Sequence, residues 1–187
     1  YMNLLKEMVT DFAKLMSENS WKVQGNYNMR DFEGRNYING EWRATPEMYT
    51  KLNPATGKIQ GEFPLSDRVA VQSAILAARK AFKPWKKLSR FVRSDCLNKV
   101  AQIIERRRDE LATVISLETG KNYNESIAEV NEALHMAQFA FSSGRFSHGE
   151  AVSSEIEDKD SYMLRKPKGV IAIITPFNFP LAIGMFW

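Results

Sequence analysis

Apolar residues recur through the middle of the chain at the 3.6-residue period of amphipathic helices. Val71, Ala74, Ile75, Ala78, Ala81 and Phe82 form one such face, with Ser66-Asp67 placed to cap it and Pro84 near its end. A second helix follows Ser89, with Leu97, Val100, Ala101 and Ile104 on one side and charges on the other. A third starts at Asp109, carries Leu111, Val114, Ile115 and Leu117, and meets Gly120 where a left-handed residue would stop it. The fourth is expected from about Asn124 to Phe141, with Ile127, Val130, Leu134, Ala137 and Phe141 inward. Leu4, Leu5, Phe12, Leu15 and Trp21, spaced among charges, predict an N-terminal amphipathic helix over residues 1–20 and not a signal peptide.

Between these stretches the pattern changes. Tyr37-Ile38-Asn39-Gly40-Glu41-Trp42 sets Asn-Gly between short strand-like runs, the signature of a type I′ hairpin. Asn53-Pro54-Ala55-Thr56-Gly57-Lys58 predicts a second turn, leading into an extended run from Ile59 to Leu65. The helical period is lost around Ser143 to Gly149. Val170-Ile171-Ala172-Ile173-Ile174 is apolar without alternation, which predicts a strand covered on both faces of a parallel sheet. Thr175-Pro176-Phe177-Asn178-Phe179-Pro180 breaks that strand, and a helix is expected from Leu181. On residue chemistry alone, Asn178 reads as a cap for that helix.

Composition and charge narrow the function classes only modestly. With 44% hydrophobic and 26% charged residues, the 187-residue chain has the make-up of a soluble globular protein. The net charge is +4, and Arg106-Arg107-Arg108 is followed at once by Asp109-Glu110, a solvated helix end and no nucleic-acid patch. The single cysteine, Cys96, excludes an internal disulfide framework and suits a reducing, cytoplasmic setting. His135 and His148 lack a second ligand at zinc spacing, so no metal is expected. Gly169 to Trp187 is uncharged, but Pro176, Asn178 and Pro180 within it argue against a membrane span. Ile183-Gly184-Met185-Phe186-Trp187 is a poor natural ending, because it leaves large side chains uncovered, and the chain reads as cut partway into a helix.

The hairpin, the Asn53–Lys58 turn, the helix Ala74 to Trp85, Glu118-Thr119-Gly120-Lys121 and the Ile174–Pro180 turn, in this order, resemble the N-terminal part of NAD(P)-dependent aldehyde dehydrogenases. The resemblance covers about residues 33–187. It implies an α/β fold holding the N-terminal part of a Rossmann-like cofactor-binding domain, with flanking helices and part of an oligomerisation hairpin. The division it suggests is an N-terminal helix and connector at 1–32, a helical part of the cofactor domain at 33–150, an oligomerisation segment at 151–167, and the first strand-turn-helix of the sheet at 168–187. It further implies oxidation of an aldehyde through a cysteine thiohemiacetal and thioester.

In that chemistry Asn178 donates to the oxyanion, a role whose removal typically costs about 3–4 kcal/mol of barrier. Ile174, Thr175, Pro176 and Phe177 lie against NAD or NADP, with NAD favoured, and Phe177 replaces the family's commoner Trp. Phe179, Ile183 and Phe186 match the family's substrate tunnel, though Ile183 and Phe186 read equally well as core. A homodimer or homotetramer is implied. Cys96, on a helix among Leu97, Val100 and Ile104, is a packed residue and no nucleophile, and the catalytic cysteine, the glutamate and the family's glycine motif for the cofactor are absent from this sequence. The chain alone is therefore expected to be inactive. The same residues leave open a noncatalytic assembly module and a CoA-acylating relative.

Overall fold

A computed structural model describes residues 32–186. The expected N-terminal helix over 1–20 lies outside them. In chain order the elements are β1 (Phe32–Glu33), β2 (Asn36–Ile38), β3 (Glu41–Arg43), β4 (Met48–Leu52), β5 (Ile59–Pro64), α1 (Arg68–Trp85), α2 (Arg90–Arg106), α3 (Arg108–Thr119), α4 (Tyr123–Ser143), β6 (Gly149–Ser153), β7 (Asp160–Leu164) and α5 (Ala182–Phe186).

The two turns form as their residues dictate. Asn39 and Gly40 take φ values of 55° and 83°, both left-handed as a type I′ turn requires, and β2 pairs antiparallel with β3. Tyr37 stands opposite Trp42, their ring centroids 5.0 Å apart. In the second turn the Asn53 side-chain oxygen accepts from the Ala55 and Thr56 amides at 2.9 and 3.1 Å, and its carbonyl accepts from the Gly57 amide at 2.8 Å. This Asx-type turn reverses β4 onto β5, while β1 lies parallel on the other edge of β5.

Each long helix has a physical start and stop. Asp67 accepts from the Ala70 amide at 2.8 Å and starts α1, which continues through Pro84 to Trp85, because a proline in the last turn disturbs little of the remaining ladder. Ser89 accepts from the Val92 amide at 3.2 Å and starts α2. Arg107 precedes α3 without a side-chain cap; Asp109 and Glu110 in the first turn face the positive end of the helix dipole instead. Gly120, at φ 77°, closes α3. Asn122, which the periodicity did not single out, accepts from the Glu125 amide at 2.9 Å and starts α4.

The core lies where α2 and α3 pack on α4 and where α5 packs on the first half of α4. Ala101, Ile104, Ala112, Ile115, Val130, Ala133, Ala137 and Ala182 are buried together there. Alanines at the contacts let the helix axes approach closely, and each buried Ile or Val contributes about 1.5–3 kcal/mol of transfer free energy. The β6–β7 ribbon pairs antiparallel from Gly149 opposite Leu164 to Ser153 opposite Asp160, and its side chains are largely exposed.

One expectation fails. Val170–Ile174 forms no strand, and Ile171, Ile173 and Ile174 are exposed. A two-face-covered strand needs flanking strands to bond its backbone and helices to cover it, and no described strand pairs with this segment. Among the described residues no helix is long and apolar enough to cross a membrane.

Candidate active site

The turn after Thr175 is held by a carboxylate that comes from another element. The first amides of a helix have no partner within it. Here the Leu181 and Ala182 amides donate to Glu129 Oε1 of α4 at 2.8 and 3.4 Å. Glu129 Oε2 accepts from Lys121 Nζ at 2.6 Å, and that ammonium sits 4.3 Å from the centre of the Phe179 ring. Glu129 is wholly buried. Burying a carboxylate costs several kcal/mol unless donors satisfy it, and three donors do so here. Sequence reasoning missed Glu129 because it sought apolar residues on α4. The signal was a charge lying on the inward stripe of Ser126, Val130, Ala133 and Ala137, with a lysine eight positions earlier.

Because Glu129 satisfies the helix start, Asn178 is not its cap. The Asn178 side chain makes no hydrogen bond within the described residues, and it lines a cavity of about 690 Å³. Phe179, Ile183 and Phe186 line the same cavity, so the three residues matched to a substrate tunnel converge beside the asparagine. Another wall is α4, through Glu125, Ala128, Glu129 and Glu132. An amide there donates without titrating, next to apolar walls that can hold a carbon chain.

Thr175 and the largely exposed Phe177 border a second cavity of about 830 Å³, together with Lys51 and Leu52 of β4 and Glu118 and Thr119 of α3. Ile174, 94% exposed, and Pro176 line neither cavity, so of the four residues expected against a dinucleotide only two are brought together. Lys51 and Glu118 form an ion pair, and partial burial holds the lysine below its ordinary pKa. The last turn of α3 presents the negative end of a helix dipole to this cavity, which disfavours a diphosphate. Its walls suit an uncharged or cationic ring system. The described residues therefore fit one end of a dinucleotide and not its phosphates.

Cys96 lies on α2, where its Sγ donates to the Val92 carbonyl at 3.4 Å, and burial pushes its thiol pKa up. A nucleophilic thiol needs the opposite shift. It lines neither cavity.

Comparison with known proteins identifies the family. The model of the aldehyde dehydrogenase family matches residues 42–186, well over half of the chain. The chain is 39% identical over 151 residues to malonate-semialdehyde dehydrogenase 2 of Bacillus thuringiensis subsp. konkukian, covering 80% of this chain and 31% of that protein. It superposes on an NAD-dependent aldehyde dehydrogenase from Sinorhizobium meliloti with a TM-score of 0.77 at 30% identity, over 86% of this chain and 33% of that one. A double mutant of betaine aldehyde dehydrogenase from Staphylococcus aureus, in complex with NAD+, gives a TM-score of 0.75 at 29% identity, over 83% and 32%. The chain thus spans about a third of the length of the relatives it matches.

Proposed function

From the premise that the chain belongs to the aldehyde dehydrogenase family, we propose that it forms the N-terminal part of an NAD(P)-dependent enzyme oxidising an aldehyde to a carboxylic acid. The observation that carries this reading is the division of labour at one turn. Glu129 holds the backbone, which leaves the Asn178 amide facing a cavity walled by Phe179, Ile183 and Phe186.

When a thiolate from the remainder of the protein adds to the aldehyde carbon, the carbonyl π pair moves onto oxygen. Asn178 donates to that oxygen where the charge develops, while the apolar walls hold the carbon chain. Thr175 and Phe177 would hold a ring of the cofactor, with Ile174 and Pro176 framing the turn. NAD(P)+, when bound, supplies the hydride acceptor, and NAD+ is the favoured form. The β6–β7 ribbon, which overlaps the 151–167 segment, pairs with a neighbouring copy in a homodimer or homotetramer, and the protein works in the cytoplasm.

The test is turnover by the intact protein. An aldehyde with NAD+ or NADP+ is expected to yield NAD(P)H and one equivalent of free carboxylic acid, without added CoA. Acyl-CoA formed only in the presence of CoA would move the protein to the acylating branch. No NAD(P)H from any aldehyde would overturn the reading.

A further inference from the structure

We infer that the cavity beside Asn178 selects its aldehyde by charge, with Glu125 and Glu132 turning away substrates that carry a carboxylate. This inference rests on the reading of that cavity as the aldehyde site. Glu125, Ala128 and Glu132 are spaced i, i+3, i+7 along α4 and so share one helix face, and all three line the same cavity as Asn178. Lys121 is the one cation lining the cavity among the described residues, and it is already engaged. Its ammonium is 2.6 Å from the Glu129 carboxylate and lies over the Phe179 ring. The same carboxylate is held by the Leu181 and Ala182 amides, so this pair is fixed in place and contributes no net charge to the cavity.

Glu125 and Glu132 have no ion-pair partner among the described residues, and both side chains are exposed at the rim. The remaining lining is apolar apart from the neutral amide of Asn178. Among the described residues the wall therefore carries two negative charges without an ion-pair partner, beside a floor with no net charge. Such a rim repels an anionic aldehyde, ignores a neutral one and attracts a cationic one. A carboxylate held about 6 Å from one of these glutamates, in a solvent-exposed mouth, loses roughly threefold in occupancy for each. Salt weakens the effect, because the charges are exposed.

The experiment compares size-matched aldehydes in the intact protein, so that intrinsic reactivity cancels between wild type and variant. One pair is succinic semialdehyde and its methyl ester. The other is an aldehyde bearing a trimethylammonium group and its tert-butyl isostere. In Glu125→Gln and in Glu132→Gln, the anion-to-ester ratio of kcat/KM is expected to rise about threefold, and in the double variant about tenfold, with the gain shrinking at about 1 M salt. The cation-to-isostere ratio is expected to fall by a similar factor. Damage to the fold cannot move the two ratios in opposite directions. Ratios that stay at their wild-type values would overturn charge selection while leaving aldehyde oxidation standing. If the wild-type protein reduces neither cofactor with these or any other aldehyde, the functional reading fails and this inference falls with it.

Discussion

At the scale of single residues, Glu129 is the group on which the site's geometry depends. It is a buried carboxylate whose three donors come from a lysine and from the two amides that begin α5. Replacing it with alanine strands an ammonium and two amides, so Glu129→Ala is expected to destabilise the protein by about 3 kcal/mol, with Glu129→Gln losing less because its amide oxygen still accepts. Urea unfolding of the two variants would check the order, and equal losses would mean that the amides draw nothing from this side chain. Asn178 was legible in the sequence through its flanking prolines and its resemblance, but only as two competing roles. Its release from capping became visible with Glu129, fifty-two positions from Leu181 and on a different helix. Local sequence cannot report a bond of that separation.

Among the elements, those whose determinants are local were legible. The Asn39-Gly40 hairpin, the Asx-type turn at Asn53 and the caps at Asp67 and Ser89 each depend on residues within a few positions, and each formed where the pattern placed it. Gly120 belongs with them, and it also touches a distant turn: a Cβ there would meet Pro54 Cγ at 3.2 Å, in addition to adopting a left-handed φ. Gly120→Ala is accordingly expected to cost about 1–2 kcal/mol, read as a drop in thermal unfolding temperature. An unchanged midpoint would show that the α3 end relaxes freely. Val170–Ile174 was not legible in the same way. Its apolar, β-branched run encodes how it would be covered, but a strand exists only with partners, and the described residues supply none. The hydrophobic pattern specified the environment that this segment suits, and not the one it meets here.

At the scale of the whole molecule, two surfaces point beyond the chain. The β6–β7 ribbon has no further strand on either edge among the described residues, and it exposes Tyr162 and Leu164 on one face at 67% and 71%. Exposed two-stranded ribbons are marginal alone and tend to recruit another strand. If the ribbon is the oligomer contact, Tyr162→Glu with Leu164→Glu is expected to lower the mass of the intact protein in solution by light scattering, and an unchanged assembly would place the contact elsewhere. The second surface is the turn itself, with an amide and apolar walls on one side and Thr175 with Phe177 on the other, an arrangement that suits the proposed meeting of substrate and cofactor across a few residues. The proposed chemistry stands on the Asn178 amide stabilising the oxyanion formed on the aldehyde. The most direct measurement is kcat of Asn178→Ala in the intact protein, alongside its unfolding temperature. The expected result is a fall of about 10²–10³-fold in kcat with the unfolding temperature unmoved, and a wild-type kcat in a fully folded variant would contradict it.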